Sequence, residues 1–574
     1  MKREALFFTQ PGLPKQRLYE ALRAVFVDEL KVTEAAERFG YTPNTLYVLL
    51  SHFRAGKLGP FFLESKPGPK HRPRRDPVRD LVIELRKKNR SIYDISLALK
   101  EDGHVLSPRS VWEILHEAGF ARLPRRLDEE RPDRAKPEPA PKADHRLLDL
   151  SSQQSFQTQA AGLFLFVPDL IELKLPNHVR RARYHGTRAI PPLGYFLSHL
   201  ALKLIGRERY SHVMDCCHDQ GLGLFAGLNA IPKTTALTTY SYRIVSARNQ
   251  HFLESLLGRA RELGVVRGET INLDFHSIPH FGEDSVLEKH YVPRRSHAEK
   301  SVLTCLAQDG ETRAFCYSSA NILKQEMADE VIQFSRFWKR STGKYPEELV
   351  FDSKFTTVEK LNDLDKLNIR FITLRRRGRK LVADLMQLPK ASWQRCTLDV
   401  PHRKYKRPRF HESRVQLKGY DRPLRQIAVL DLGRDEPTIV VTNDFKSSVK
   451  ELLTRYARRM IIENAIADAV HFFHIDALCS SLNIEVDFSV AVTVVADMLY
   501  RRFAKKIRGF EDATAKQLFR KFINASATVT IDRRQIYVSF NRRAHNPLLM
   551  AAGFESLECR VPWLSGYRLR FGFA

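Results

Sequence analysis

Cysteine, long apolar runs and acidic charge are all scarce in this sequence. Its seven cysteines stand singly except for Cys216 and Cys217, and no CxxC pair occurs. This usage argues against a disulfide framework or a cysteine-built zinc site and favours a reducing compartment. No stretch reaches the roughly 18 consecutive apolar residues of a membrane helix, and the N-terminus lacks the apolar core of a signal peptide. We therefore expect a cytoplasmic protein without a membrane segment.

The shortage of acidic residues leaves a large positive charge. Asp and Glu total 66 against 94 Lys and Arg, so the formal net charge is +28 over 574 residues. A surplus of this size indicates a polyanionic partner, and the lack of membrane features favours nucleic acid. Hydrophobic residues make up 43% of the chain, which excludes global disorder. The length implies about three to five domains.

The N-terminal residues contain the pattern of a helix-turn-helix. Small Ala36 precedes Gly40 by four positions, and Leu46 and Leu49 follow at helical spacing. A helix-turn-helix needs this order, because two helices cross at the small residue and the chain turns at the glycine. An ordinary helical hairpin is the alternative. The side chains of the second helix that would face a DNA groove are Thr42, Asn44, Thr45 and Tyr47.

A second module of the same kind, helix-turn-helix or winged helix, is expected after a basic tether. Ser107 and Pro108 can begin its second helix, which leaves Arg109 on the outer face. The tether at 65–76 alternates basic residues with Pro and Gly, and a flexible cationic strand can lie along a minor groove. A solvated linker is the alternative. The tether residues expected to contact DNA are Arg72, Arg74 and Arg75.

Strands and helices alternate in the middle of the chain. Three consecutive strands are followed by helix, strand, helix and strand, which is the order of a ribonuclease-H-like α/β domain. The predicted strands span 271–275, 301–309, 313–320, 348–353 and 370–375, and the predicted helices span 328–343 and 358–367.

The pattern changes again after this run. Residues 378–446 alternate with period two and predict an all-β insertion. One long helix is then expected to 478, because Ser448 and Glu451 have the spacing of a capping box. The expected fold class is therefore multidomain, with N-terminal all-α helix-turn-helix modules followed by an α/β ribonuclease-H-like catalytic domain with an all-β insertion. Its segments are 1–62 and 63–122 (DNA-binding modules), 123–146 (linker), 147–268 (helical region), 269–377 with 447–485 (catalytic domain), 378–446 (insertion) and 486–574 (C-terminal region).

Three acidic residues stand where a metal-dependent site would be built. Asp274 lies between apolar neighbours in the first strand, Asp352 ends a later strand, and Glu463 lies in the long helix. A charge among apolar residues is costly unless it is paired or binds metal. Phosphodiester transfer by two metal ions needs converging carboxylates, and Mg²⁺ prefers oxygen ligands.

These residues resemble those of bacterial insertion-sequence transposases of the DDE class. The branch with a β-rich insertion carries the signature Tyr, two residues, Arg, three residues, Glu, six residues, Lys. Tyr456, Arg459 and Glu463 match it, whereas the lysine position is Val470 and departs from it. The resemblance covers residues 155–510.

The resemblance implies a ribonuclease-H-like fold and DNA cleavage and joining at transposon ends. It gives Asp274, Asp352 and Glu463 the role of ligands to two Mg²⁺ or Mn²⁺ ions, with no small-molecule cofactor. The implied partners are double-stranded DNA, as terminal inverted repeats and as target, and a second copy of the chain in a synaptic homodimer. The implied location is the bacterial cytoplasm, at the nucleoid.

Further residues could contact DNA. Arg459 would hold a phosphate by its fork of donors. His276, on the same strand face as Asp274, could position a water or a phosphate, and a satisfied core histidine is the alternative. Lys354 could contact the DNA backbone, and Trp393 could stack a flipped end base, unless it is a core residue. The cationic stretches at 375–380 and 402–414 are typical of DNA-backbone tracks.

Two other functions have to be weighed against a transposase. A non-catalytic DNA-binding regulator derived from a transposase could lose its acids without penalty, yet all three acids are present. A structure-specific nuclease has less need of two sequence-reading modules. Both remain alternatives.

Overall fold

The computed structural model divides the chain into two compact units, Met1–Pro139 and Ala140–Ala574. It describes residues 5–58, 61, 75–88, 90–121, 123, 148–280, 287–292, 295–355, 357–400, 404–477 and 483–574. Within these ranges, no helix has both the length and the apolar composition required to traverse a bilayer.

The described elements of the first unit are helical. Helices α2, α3 and α4 share one apolar core, and α5, α6 and α7 share a second. The bounds are α1 (Leu6–Thr9), α2 (Pro14–Phe26), α3 (Val32–Phe39), α4 (Pro43–Arg54), α5 (Arg79–Lys87), α6 (Ile92–Glu101) and α7 (Pro108–Glu117).

Local sequence explains the turn between α3 and α4. Gly40 ends α3 with φ of 70°, the left-handed conformation that glycine adopts without strain. Thr42 then caps α4, because its hydroxyl accepts a hydrogen bond from the N–H of Thr45. The buried anchors of α4 are Leu46 and Leu50, so Leu50 takes the place that the sequence assigned to Leu49.

The second unit contains helices packed around two sheets. Its first half consists of β1 (Gln154–Thr158), α8 (Val167–Glu172), α9 (Leu175–Arg181), α10 (Pro192–Leu204), α11 (Gln220–Phe225), α12 (Thr234–Ser241), α13 (Ser246–Glu262), β2 (Ile271–Pro279), β3 (Lys289–Val292), β4 (His297–Asp309), β5 (Phe315–Ala320), α14 (Glu330–Thr342), β6 (Glu348–Val350), α15 (Val358–Lys366) and β7 (Arg370–Leu374). Its second half consists of α16 (Arg379–Met386), β8 (Gln394–Arg395), β9 (Arg409–Val415), β10 (Leu424–Leu430), β11 (Thr438–Thr442), α17 (Val449–Arg458), α18 (Met460–His471), α19 (Asn483–Lys506), α20 (Ala515–Leu518), β12 (Ala527–Asp532), β13 (Gln535–Phe540), α21 (Asn546–Ala551), β14 (Glu558–Val561) and β15 (Tyr567–Phe573).

The larger sheet has the order β5-β4-β2-β6-β7 at its centre. Strands β5, β4 and β2 are antiparallel neighbours, whereas β2, β6 and β7 run parallel. Helix α14 connects β5 to β6, and α15 connects β6 to β7. All the strands and helices predicted over 271–375 are therefore present in the predicted order.

The expectation of an all-β insertion at 378–446 is wrong. Helix α16 and a 3₁₀ turn at Lys390–Ser392 precede its strands, and the cationic stretch at 375–380 runs into α16. The strands also form no sheet of their own. Strand β11 pairs antiparallel with β7, and β10, β9 and β8 follow outward, so the insertion extends the main sheet. An exposed β7 edge would leave backbone groups unpaired, and β11 satisfies them.

The single long helix expected up to 478 is also not observed. The predicted capping box of Ser448 and Glu451 begins α17. The helix is interrupted at Arg459, whose N–H bonds to the carbonyl of Tyr456 in a tighter turn. Helix α18 starts at Met460 and ends at His471. The predicted helix therefore becomes two, with Arg459 at the junction.

The C-terminal region belongs to the core of the second unit. Helix α19 packs against β5, the edge strand of the main sheet, and Asp497 accepts a hydrogen bond from the N–H of Phe315 (2.9 Å). Strands β12–β15 form the second sheet with β1, in the order β1-β12-β13-β15-β14. Regions 147–268 and 486–574, expected as separate segments, thus share one compact unit because β1 pairs with β12.

A buried glycine provides a stability test of this arrangement. Gly162 lies in a 3₁₀ helix, and a Cβ there would be 2.1 Å from the carbonyl oxygen of Ile523. We expect Gly162→Ala to lower the free energy of unfolding by about 3 kcal/mol, because backbone cannot move aside cheaply. Gly258→Ala in α13 is the matched control, since its Cβ would meet nothing closer than 3.4 Å. Equal melting temperatures for the two variants would contradict the close approach.

Candidate active site

Two of the predicted acids lie at the same level of neighbouring parallel strands. Strand β2 pairs with β6 in the register Asn272 to Val350. Asp274 and Asp352 each lie two residues beyond those positions, so both follow the paired segment in the same direction. Asp274 is inside β2 and opposite Leu306 of β4, whereas Asp352 lies two residues beyond the end of β6.

The third acid and the signature arginine come from the interrupted helix. Helix α18 packs against β2 and carries Glu463. The guanidinium of Arg459 bonds to two of the acids. Its Nη1 donates to Oε1 of Glu463 (3.1 Å), and its Nη2 donates to Oδ1 of Asp274 (3.4 Å). The Arg459 side chain is only 9% exposed, against 19% for Asp274 and 53% for Glu463. The structure therefore joins Asp274, Arg459 and Glu463 in one ion-pair cluster.

Asp352 shares the electrostatic field of this cluster. Burial raises the pKa of Asp274 to about 6; Arg459 opposes the rise, and the charges of Glu463 and Asp352 add to it. Burial likewise raises the pKa of Tyr456, and the same three carboxylates contribute. Such mutual perturbation is typical of functional sites, and structural ion pairs also produce it.

The donor set is suited to a hard divalent cation, since carboxylate oxygens are the ligands that Mg²⁺ prefers. Within the described ranges, however, no three or more His, Cys, Asp or Glu side chains are grouped as a metal site. Arg459 lies between two of the three carboxylates and supplies the positive charge there. The residue types fit a divalent metal, and in this structure Asp274 and Glu463 are paired with Arg459.

An aromatic stack links the two aspartate positions. The ring of Phe275, next to Asp274, stacks on that of Phe355 with 3.9 Å between centroids and 12° between planes. Phe355 is buried in the short turn that follows Asp352. Because each ring belongs to a segment that bears one acid, the stack holds the two segments at a constant separation.

We expect Phe355→Leu to reduce any cleavage activity about tenfold while the protein stays folded. Leucine retains much of the apolar volume but loses the stack, and small displacements of reacting groups are costly in rate. Phe337→Leu on α14 is the control, because Phe337 is equally buried and contacts Tyr317 and Phe334 instead. Cleavage rate and melting temperature should both be measured. An equal loss of rate in the two variants would show a general packing effect.

His276 has a partner that the sequence did not indicate. Its Nε2 lies 2.6 Å from Oδ1 of Asp476, which is in a 3₁₀ turn just after α18. Both side chains are largely buried. The two residues are 200 positions apart, and no motif around Asp476 marks it. Arg455, also missed, fastens α17 to the sheet through Glu348 and Asp444.

Other predicted residues have structural surroundings. Trp393 packs against a small buried cluster of Leu385, Ala428 and Ile439, and its ring lies 5.9 Å from that of His411. Val470, at the signature's lysine position, packs against the main core. Lys354, two residues after Asp352, is exposed. Part of the stretch 402–414 forms β9, and 401–403 lie outside the described residues. The DNA roles of Trp393 and Lys354 stay predictions.

The residues of the first unit that were predicted to contact DNA differ in their exposure and in their partners. Asn44, Thr45 and Tyr47 are exposed on α4, whereas the hydroxyl of Thr42 is engaged as the helix cap. Arg75 pairs with Glu113, so it anchors α7 and does not belong to a free tether. The tether residues Arg72 and Arg74 lie outside the described residues.

The outer face of α7 carries an aromatic residue that the sequence argument missed. Arg109 lies over the ring of Trp112 at 4.6 Å, and Trp112 is 40% exposed. The ring of His116 follows at 5.0 Å. A three-residue spacing from Arg109 to Trp112 on the predicted helix was the available signal, because it places both on one face.

No protein-family model matches the chain, and no curated protein matches its sequence. Among solved structures, it is similar to the Mos1 transposase paired-end complex with left transposon end, at 12% identity over 62% of this chain and 76% of that chain, with a TM-score of 0.13. It is also similar to the Mos1 strand transfer complex, at 12% identity over 65% of this chain and 83% of that one, with a TM-score of 0.12. The Mos1 mariner paired-end complex with Mn gives 12% identity, coverages of 63% and 78%, and a TM-score of 0.12. TM-scores this low do not establish a common fold.

Proposed function

We propose that this protein is a DNA transposase that cuts and joins phosphodiester bonds at Asp274, Asp352 and Glu463. One observation carries the proposal. The guanidinium of Arg459, from the Tyr-Arg-Glu signature, bonds both to Asp274 of β2 and to Glu463 of α18, two acids that are far apart in the sequence. The charge of Asp352, which lies just beyond the segment of β6 that pairs with β2, also acts on Asp274.

The topology of the main sheet supports a ribonuclease-H-like catalytic domain. Its centre has three antiparallel strands, β5, β4 and β2, followed by β6 and β7, which run parallel to β2. Asp274 lies on β2, Asp352 lies two residues beyond β6, and Glu463 lies on α18, which packs against β2. On this proposal the chain is of the insertion-sequence DDE class, with an insertion that extends the sheet.

The residues have distinct roles in the proposed reaction. Asp274, Asp352 and Glu463 would hold Mg²⁺ or Mn²⁺, which supplies activation of the attacking oxygen and neutralisation of the leaving one. Arg459 binds a DNA phosphate through its fork of donors. Tyr456 is largely buried and its pKa is raised, so it remains a protonated phenol and is not the nucleophile that a tyrosine recombinase requires. Water and then a 3′-hydroxyl of DNA are the attacking groups.

The first unit would select the DNA. The exposed polar residues of α4 and the Arg109–Trp112 face of α7 are the proposed readers of the terminal repeats. The net charge of +28 provides the sequence-independent attraction to phosphate. A homodimer that pairs two transposon ends, in a cytoplasmic and nucleoid-associated setting, completes the proposal.

The test uses the full chain and DNA that includes the sequences flanking its reading frame. In Mg²⁺ we expect nicks that expose 3′-hydroxyl ends at short inverted repeats, followed by joined products with a second DNA. DNA that is bound selectively but never cut, in Mg²⁺ or Mn²⁺, would favour the non-catalytic regulator. Cutting without joining, and without preference for repeats, would favour the nuclease.

A further inference from the structure

The position of Arg459 bears on how the proposed site is regulated. Its guanidinium donates hydrogen bonds to one oxygen of Asp274 and one of Glu463, which are oxygens that would coordinate a metal ion. A dication cannot share those oxygens with a guanidinium at the same distance, because like charges a few ångströms apart repel strongly in a partly buried site. Arginine and metal therefore exclude each other at these two carboxylates.

Arg459 also retains an unused donor. Its Nε is buried and has no hydrogen-bond partner among the described residues. A buried donor without an acceptor is costly, so the pairing with the two carboxylates leaves Arg459 incompletely satisfied. An anion that accepts from Nε and one Nη together would satisfy the fork, and a phosphate diester has the matching pair of oxygens.

The backbone at Arg459 allows the two pairings to be exchanged. Residue 459 is the junction of α17 and α18, where its N–H bonds to Tyr456 and its carbonyl accepts from Ile462 in short turns. Helix α17 is fastened by Arg455 to Glu348 and Asp444. Met460, the next residue, is 56% exposed, so it does not hold the junction in the core. The Arg459 side chain can therefore rotate between the two pairings while α18 stays packed against β2.

We propose that Arg459 is an internal counter-ion that keeps Asp274 and Glu463 closed to metal until a DNA phosphate draws its guanidinium away. DNA binding and metal loading are then coupled through one side chain, and the protein without DNA is a poor metal binder. This inference rests on the proposed transposase function and concerns the regulation of the same site.

The test is a direct titration of the full chain with Mn²⁺ in the absence of DNA, in which free Mn²⁺ is followed by electron paramagnetic resonance. We expect Arg459→Met to bind Mn²⁺ about tenfold more tightly than the unmodified protein, since a cation leaves the site. Arg458→Met is the matched control. This substitution removes the same charge one residue away. Arg458 pairs with Glu311 and not with Asp274 or Glu463, so the affinity of this variant for Mn²⁺ should stay unchanged. Arg459→Lys should be intermediate, because one ammonium cannot fork between both carboxylates.

A second titration adds duplex DNA, with Asp274→Asn plus the same DNA as the blank for Mn²⁺ held by phosphates. We expect DNA to raise the affinity of the unmodified protein and to leave that of Arg459→Met unchanged. If Arg459→Met fails to fold, amide hydrogen exchange of the unmodified protein tests the counter-ion role instead. Saturating Mn²⁺ should then speed amide exchange at 456–463 as the arginine contacts break.

The outcomes separate this inference from the proposed function. Equal or weaker Mn²⁺ binding by Arg459→Met, an equal gain in Arg458→Met, or unchanged exchange at 456–463 with Mn²⁺ bound would overturn the counter-ion role alone. If neither protein binds Mn²⁺ better than Asp274→Asn, with or without DNA, the metal site is absent and both proposals fall.

Discussion

Asp274→Asn should abolish DNA cleavage while DNA binding persists. Asparagine keeps the size of the side chain but removes the charge that would hold the metal beside the reacting phosphate. Since metal stabilisation of the transition state is worth several kcal/mol and each 1.36 kcal/mol is a factor of ten, we expect a loss of about 10³-fold or more. The substitution leaves Arg459 itself unchanged, so the phosphate contact proposed for Arg459 should survive.

Asp274→Asn should be at least as stable as the unmodified protein. The direction of this effect follows from the raised pKa of Asp274. Burial raises the pKa of Asp274 to about 6, above its ordinary value of 3.8. The folded protein therefore holds this proton more tightly than the unfolded chain does, and above pH 6 the charged carboxylate costs stability. Asparagine removes that cost, so the melting temperature at pH 7.5 should be equal to or higher than that of the unmodified protein.

Cleavage, DNA affinity and melting temperature should be measured together. Asp512→Asn is the control, because Asp512 is 82% exposed and pairs with Arg313 on the surface. It should retain full activity. Cleavage by Asp274→Asn at more than a tenth of the normal rate would remove Asp274 from the active site, whereas a fall in melting temperature would show that its charge supports the fold.

Removal of the first unit should destroy selective DNA binding. A chain of residues 140–574 keeps the second compact unit whole, including the three acids, and loses α1–α7. Specific protein–DNA complexes are typically at least about 10³-fold tighter than non-specific ones, and we expect the truncated chain to lose that ratio. Residual non-specific binding should remain and should weaken steeply with salt.

A variant of the full chain distinguishes loss of readers from loss of charge. Asn44→Ala with Tyr47→Ala removes two exposed side chains of α4 without changing any charge or buried anchor. We expect a substantial part of the selectivity to disappear, at unchanged salt dependence. Glu84→Gln on α5 with Lys88→Gln just after this helix replaces an exposed ion pair and serves as the neutral control. If the truncated chain still prefers terminal-repeat DNA, the reading elements lie in the second unit.

Features that depend on neighbouring residues could be predicted well. The turn at Gly40 and the capping box at Ser448 involve residues within a few positions, and both are observed. The strands and helices over 271–375 follow from hydrophobic period, and they are present too. The signature residues Tyr456, Arg459 and Glu463 were identified from the resemblance to a known signature, whose spacing is local in the sequence.

Features that depend on residues distant in the sequence could not be predicted. The insertion extends the main sheet because β7 had an unpaired edge that β11 could reach, and period-two alternation carries no information about which edge that is. Trp393 and Arg75 were candidate DNA contacts, and the structure packs Trp393 against Leu385, Ala428 and Ile439 and pairs Arg75 with Glu113.

By itself the sequence determined the chemistry available to this protein: a large positive charge, two local helix-turn-helix patterns and three acids in apolar surroundings. Only the tertiary structure decided how that chemistry is held. The contact of Arg459 with Asp274 spans 185 positions and that of His276 with Asp476 spans 200. Contacts of this range exist only once the sheet and helices have packed, because no local periodicity records which buried polar side chains will meet.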